Sequence, residues 1–405
     1  MDPVSSLPAI ACLLVAIITA FLLTKQFGMP PVQGRFTSID GLRGYLAFFV
    51  FLHHSCIWYF YLRTGRWEVP NSNLYTHFGQ SSVLIFFMIT GFLFFSKLID
   101  GRTKNIDWGK LFISRFLRLV PLYSFAMLLL FIVVANVSDG VLNEPVLKLI
   151  GSMLRWLGFT IFGTPNLNGF QYTPTIIAGV TWSLPYEWLF YFSLPLLALA
   201  IGVIPPFPYL MFSVIGVAGV VIWNPQFYSL NQMIAPLLSF LGGISAALLV
   251  RWELFRQFAV QGFSSLIVLG CLVWVINVYP SVNGSVPLLL LYIAFALMAC
   301  GNTMFGALVS PISRTLGEMA YSIYLLHGIF LFVIFNFILG RNTARELTPI
   351  MHWLLMAGLT PILVFICFAT FRLIESPFMR STAAFTAWLR SRLTLRSKAS
   401  ASEHL

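Results

Sequence analysis

Charge is what this chain has least of. Only 13 acidic and 24 basic residues occur among 405, nine per cent in all, against 59% hydrophobic residues. That balance excludes a water-soluble globular domain, and apolar runs recurring from end to end point to a polytopic membrane protein. No hydrophilic stretch is long enough to fold alone. Cys12, Cys56, Cys271, Cys300 and Cys367 show no CxxC or Cys/His metal spacing. They read as small buried hydrophobes, and no metal site is expected. The net charge of +11 comes without a stripe of Arg and aromatic residues, so nucleic acid is not an expected partner. There is no repeat of 20 to 50 residues, no inverted duplication of the transporter kind, and no Ser or Cys nucleophile in an elbow motif.

What is present is a series of membrane-length apolar windows. They fall near 7–24, 43–62, 81–99, 120–137, 186–202, 206–223, 233–250, 264–279, 285–302, 318–339 and 351–372, which predicts an all-α bundle of about eleven transmembrane helices. The first window has no Lys or Arg before it and no small-residue cleavage site before Pro30 and Pro31, so it reads as a retained helix with its N-terminus outside. Starting the second span in the cytoplasm puts 18 of the 24 basic residues inside, leaving Arg63, Arg66, Lys148, Arg155, Arg341 and Arg345 outside. That split follows the positive-inside rule. Three parts are expected: an extra N-terminal helix and linker over 1–34, a transmembrane domain over 35–380, and a cytoplasmic basic tail over 381–405. The tail is read as a helix on the anionic inner leaflet that trails into disorder from Ala399. The longest loop, 138–181, is placed outside. Its apolar segment at 149–162 reads as lying along or dipping into the membrane surface, as a lid or an acceptor platform.

Arg43 and His54 share one of these spans. Eleven residues at 100° each return to within about 20° of the same helix face and cover roughly 16 Å. One ionisable group therefore marks the membrane surface and the other lies near mid-bilayer, which makes both functional candidates by default. His53 points about 100° away and reads as support or packing. His327, about nine residues into a later span, reaches roughly the level of His54. Arg115 and Arg118 lie three apart on an amphipathic stretch with Lys110, so their heads share one side of a helix. Asp40, three residues before Arg43, is placed to fix its rotamer. Glu187 begins the fifth span near the outer face among Trp182, Tyr186, Trp188 and Tyr191. Arg372 and Glu375 read as a structural i, i+3 pair.

The chain also carries six ordered blocks: Ser38-Ile-Asp-Gly-Leu-Arg-Gly with His54 behind it, Phe86-Phe-Met-Ile-Thr-Gly-Phe-Leu, Arg115-Phe-Leu-Arg-Leu-Val-Pro-Leu-Tyr, Trp182-Ser-Leu-Pro-Tyr-Glu-Trp-Leu-Phe-Tyr, Tyr321-Ser-Ile-Tyr-Leu-Leu-His and Glu375-Ser-Pro-Phe. Together they resemble the membrane acyltransferase-3 family, ten-helix enzymes that O-acylate glycans, lipopolysaccharide and related products. Departures are Thr90 where Ser is common, Pro185 inside the Glu187 block, Ser376 where a basic residue is usual, and the extra first helix.

The resemblance implies an acyltransferase of the plasma (bacterial inner) membrane, O-acetylating in the commonest case. The donor is acyl-CoA, commonly acetyl-CoA, taken up on the cytoplasmic side as a co-substrate, and no bound cofactor is implied. The acceptor is a hydroxyl of a cell-envelope glycan, O-antigen, exopolysaccharide or glycolipid, with envelope-polysaccharide assembly proteins as further partners. His54 is then the general base, since neutral imidazole takes a hydroxyl proton near pH 7. Glu187 and Arg43 join it as catalytic candidates. Arg43, Arg115 and Arg118 are assigned to coenzyme A phosphates, which suit guanidinium forks. Trp182, Tyr186, Tyr191 and His327 are assigned to the acceptor. The rival from another class is a proton-coupled secondary transporter with His54, Glu187 and His327 as a relay.

Overall fold

The computed structural model describes residues 2–30 and 36–402, with side chains of the last helix only as far as Arg392. Arg35, the side chains of Arg396 and Lys398, and the end of the tail at 403–405 lie outside the described residues. The helices run α1 Ser6–Phe27, α2 Thr37–Thr64, α3 Asn73–Asp100, α4 Trp108–Val137, α5 Val146–Leu157, α6 Thr173–Ile176, α7 Leu184–Ala200, α8 Phe207–Trp223 and α9 Leu230–Leu249. They continue as α10 Glu253–Ala259, α11 Gly262–Val278, α12 Ser285–Ala299, α13 Pro311–Glu318, α14 Ala320–Val333, α15 Arg341–Glu346, α16 Pro349–Thr370, α17 Ser376–Arg380 and α18 Thr382–Ser402. No strand occurs among the described residues, and the fold is an all-helical bundle. The tail keeps helical backbone to Ser402 rather than losing it from Ala399.

Every predicted window falls on a helix, but not every helix is long enough to count as a crossing. Seven are, or eight if α10 and α11, bent by 78° at their junction, form one span. The windows at 186–202, 206–223, 264–279 and 285–302 fall on α7, α8, α11 and α12, of 15 to 17 residues. At about 1.5 Å per residue such helices are shorter than a hydrocarbon core of about 30 Å, so eleven crossings are not established.

The helix directions alternate, which sorts the chain into two ends. At the Thr64 end, Tyr75 Oη donates to Ser5 O (2.9 Å) and Trp353 Nε1 to Pro3 O (2.9 Å). At the Asp100 end, Arg251 pairs with Asp100 (2.5 Å) and Arg390 with Asp107 (2.6 Å). The start of the chain and its tail are thus at opposite ends. Of the described basic side chains, only Arg63, Arg66, Lys148, Arg155, Arg341 and Arg345 belong to the Thr64 end. The asymmetry expected from sequence is therefore built into the fold.

Packing in lipid needs close approach, because lipid tails offer no hydrophobic drive between helices. Accordingly Cys12, Ala16 and Ala20, spaced four apart, form the buried face of α1, which rests against α16 and α13. Leu14, Ile18 and Leu22 face outward. Thr24 Oγ1 meets Thr315 Oγ1 at 2.7 Å, so the extra helix is fastened to α13. Gly317 of α13 sits on the Asp40 carbonyl, where a Cβ has no room. α2 and α3 are the most enclosed helices, and they carry the candidate site.

Candidate active site

Arg43, Thr90, Arg115, Arg118, Glu187, Tyr191, Tyr321 and Tyr324 line one cavity of about 110 Å³ between α2, α3, α4, α7 and α14. Glu187 Oε1 accepts from Tyr191 Oη (2.9 Å) and, at 3.4 Å, from Thr90 Oγ1. Arg115 lies over the Phe94 ring at 5.0 Å, and its Nε is buried with no hydrogen-bond partner. Three guanidinium groups and one carboxylate thus line the same chamber.

Arg43 and Arg118 also line a second, larger cavity of about 540 Å³ at the Asp100 end, with Asp40, Arg314, Glu318, Arg372 and Arg380. The two arginines are the wall shared by an inner chamber and a strongly basic mouth. Arg314 Nε is buried there with no hydrogen-bond partner.

His54 is elsewhere. Its Nδ1 lies 3.0 Å from Val50 O and 3.0 Å from His327 Nε2, while His327 Nδ1 lies 2.8 Å from Ile323 O. A carbonyl can only accept, so His327 carries its proton on Nδ1 and offers the Nε2 lone pair to His54 Nδ1–H. In the neutral pair, His54 Nε2 is left as the basic nitrogen. The Trp67 ring stacks on His54 (6.2 Å, 18°), and the Ala178 carbonyl also faces the imidazole. His53 turns away to Tyr75 O (2.7 Å), as its helix phase predicts.

The partition between chamber and histidine pair is Tyr324. It stands on α14 between Tyr321 and His327, three residues from each. Its hydroxyl meets Ser183 Oγ (2.8 Å) and donates to Val180 O (2.9 Å), and its ring lies 6.5 Å from that of His327. Segment 177–183 reaches this depth because Gly328 lets the Ile177 backbone rest directly on α14.

The structure therefore brings together Arg43, Arg115, Arg118, Glu187 and Tyr191, and separately His54 and His327. Glu187 does not stand beside His54. Its partner Thr90 is 17 residues from the Asn73 end of α3 and ten from the Asp100 end, so Glu187 lies at the level of the cationic cluster. α7 starts deep because 177–183 dips into the bundle before it. Trp182 is exposed and edges onto Phe87 and Tyr186, whose hydroxyl donates to Gln232 O (3.2 Å). Neither lines the chamber. Glu375 does not pair with Arg372 either. A π turn at Phe371–Glu375 rotates the carboxylate inward, where it accepts from Ser322 Oγ, while Arg372 lies over Phe368 (5.1 Å) and donates to Phe27 O (3.1 Å). Tyr321, Tyr324, Ser183 and Arg314 were not singled out from sequence. The spacing of Tyr321, Tyr324 and His327 in one block is the signal that finds the two tyrosines, and Ser183 stands in the block that begins at Trp182, while Arg314 lies in none of the six blocks. No cluster of three metal-ligating side chains occurs among the described residues.

Long apolar helices around a buried polar centre define a multi-pass helical membrane protein. The model of the acyltransferase domain matches residues 36–372, and the chain belongs to the acyltransferase-3 family. A relative, the acyltransferase MdmB of Streptomyces mycarofaciens, is 28% identical over 331 residues, covering 74% of this chain and 80% of its own length. No solved structure matches. The protein is thus a membrane acyltransferase, and α1 lies before the matched region.

Proposed function

We propose that the protein transfers an acyl group, acetyl in the simplest case, from acyl-CoA to a hydroxyl of a cell-envelope glycan or glycolipid. The Asp100 end faces the cytoplasm and the Thr64 end the outer surface. In this reading residues 35–380 form the catalytic domain, 1–34 a helical brace, and 381–405 a cytoplasmic tail. The observation that carries the reading is the sharing of Arg43 and Arg118 by a basic mouth and an inner chamber. Such a passage suits a long ligand with phosphates at one end and a neutral reactive group at the other. Guanidinium forks hold the phosphates, and the thioester arm runs past Arg43 and Arg118 toward Tyr324.

The acceptor arrives from the Trp67 side. Its hydroxyl gives a proton to His54 Nε2 as the oxygen bonds to the thioester carbon, and the C–S bond then breaks. The leaving thiolate takes up the proton, so the imidazole returns to neutral. His327 and the Val50 carbonyl together hold the proton of His54 on Nδ1. Donor and acceptor meet only when the Tyr324 side chain swings from Ser183. Glu187, on the chamber side, orients the arginines rather than the imidazolium. A proton-coupled carrier would need Glu187 and His54 in one relay, and Tyr324 stands between them. The test is transfer of label from acyl-CoA to a glycan acceptor by purified protein, with gradient-driven uptake in liposomes as the competing outcome.

A further inference from the structure

The Thr64 end carries a separate cavity, a polar groove of about 500 Å³ between α5 and the segment 165–171. Its α5 wall is Lys148, Gly151, Ser152 and Arg155, spaced i, i+3, i+4 and i+7, which is one helix face. The other face carries Leu147, Ile150 and Leu154, exposed to 85%, 47% and 61%. In a membrane protein such a helix lies in the interface, apolar face in the acyl boundary and polar face among headgroups.

The opposite wall is held rigidly. Asn168 accepts from Asn143 N–H (2.7 Å), donates from Nδ2 to Val141 O (2.7 Å), and donates its own N–H to Glu144 Oε1 (2.6 Å). Trp156 Nε1 donates to Pro165 O (2.8 Å) and ties the two walls together. Glu144 is further occupied by Lys148 at 3.2 Å, so that pair neutralises itself. Arg155, Asn166 and Gln171 are left, and their side chains make no hydrogen bond or ion pair among the described residues. A guanidinium on one wall of a groove with two amides on the other matches an anionic group surrounded by hydroxyls.

A row of packed rings runs from the edge of the groove to the histidine pair. Phe170, between lining residues Gly169 and Gln171, edges onto Phe332 (6.4 Å), and Phe332 contacts Trp58 (6.0 Å). Trp58 contacts Trp67 (5.6 Å), the ring stacked on His54. Along the chain, the same segment runs on through α6 to Ala178 beside His54.

We propose that this groove is the headgroup subsite of the acyl acceptor and takes a polyol or sugar bearing an anionic group at the membrane surface. The inference rests on the acyl-transfer reading. Binding to the full-length protein in detergent micelles tests it by native mass spectrometry, with dioctanoyl phosphatidylinositol and free inositol phosphate as probes and dioctanoyl phosphatidylcholine as the comparison. At least one inositol probe is expected to bind about tenfold more tightly than phosphatidylcholine, and Arg155→Ala to remove that preference, as loss of a charge-assisted contact implies. Gln171→Ala, which removes no charge, is expected to weaken the same probe less. Tighter binding of the lipid than of the free headgroup supports an acceptor held in the bilayer, and equal binding supports a soluble one. Equal affinity for phosphatidylinositol, inositol phosphate and phosphatidylcholine, or an Arg155→Ala variant that binds like wild type, overturns the proposal. Because binding is read without turnover, its failure is separable from a failure of labelled acyl transfer.

Discussion

His327 Nε2 lies 3.0 Å from His54 Nδ1, and because the backbone fixes the proton on His327 Nδ1, this contact and the Val50 carbonyl, also 3.0 Å from His54 Nδ1, agree in placing the His54 proton on that nitrogen. His54→Ala is therefore expected to cost about 10² to 10⁴ in transfer rate with unchanged membrane levels. His53→Ala, whose ring is turned to Tyr75, is expected to keep much of the activity. Initial rates on purified variants check both. A His54→Ala rate within tenfold of wild type contradicts the assignment.

His327→Ala removes one of the two acceptors of His54 Nδ1–H and the ring packed beside it, leaving the Val50 carbonyl alone to hold the imidazole. The expected result is a lower kcat with donor KM unchanged, since His327 does not line the chamber. A rise in donor KM alone would place His327 in donor binding instead.

The arginines make the complementary prediction. Ala at Arg43, Arg115 or Arg118 is expected to weaken acyl-CoA binding in inside-out vesicles, and Arg115→Lys to restore it only in part because the planar fork is lost. Glu187→Gln is expected to change donor affinity as well, because the carboxylate lines the same chamber as those arginines and does not stand beside His54. Unchanged donor binding in all five variants would return the cluster to a lipid-facing role.

Close helix contact predicts a stability effect far from chemistry. Gly317→Ala drives a Cβ into the Asp40 backbone, and overpacking of this kind costs about 1 to 3 kcal/mol. Thermal unfolding in detergent checks it. A wild-type melting temperature would mean that α13 and α2 separate more easily than their packing implies.

The tail has a pH signature. Partial burial pushes the Asp107 carboxyl up, but the Lys110 N–H and Arg390 outweigh it and hold the group below the ordinary carboxylate range. A lowered folded value contributes stability above the unfolded value of about 3.9, and that contribution is lost as pH falls through the folded value. Hydrogen-exchange protection over 382–392, taken relative to the intrinsic rate at each pH, is expected to fall below about pH 4 in wild type and to be lower already at neutral pH in Asp107→Asn. Identical exchange in both proteins would mean the pair does not hold the tail.

Most of the fold was legible because lipid imposes a strong rule on composition, and each apolar window does fall on a helix. Crossing number was not, because α7, α8, α11 and α12 are too short for length alone to classify them. Helix periodicity predicts Arg43 and His54 on one face of α2, but not that Arg43 lines the chamber while His54 lies against His327 outside it. The depth of Glu187 did not, since it depends on where 177–183 folds back, and Gly328 reveals that only once its neighbour is known. The same holds for Glu375. A spacing of three from Arg372 predicts an ion pair in an α-helix, and the π turn removes it.

The central claim is that this chain moves an acyl group from coenzyme A to a hydroxyl with His54 as base. Its most direct test is to incubate the purified protein in liposomes with radiolabelled acetyl-CoA and glycolipid extract, alongside His54→Ala. The account predicts label on the glycan fraction with wild type and its near-complete loss in the variant. Gradient-driven substrate uptake with no label transferred, or equal labelling by both proteins, would contradict it.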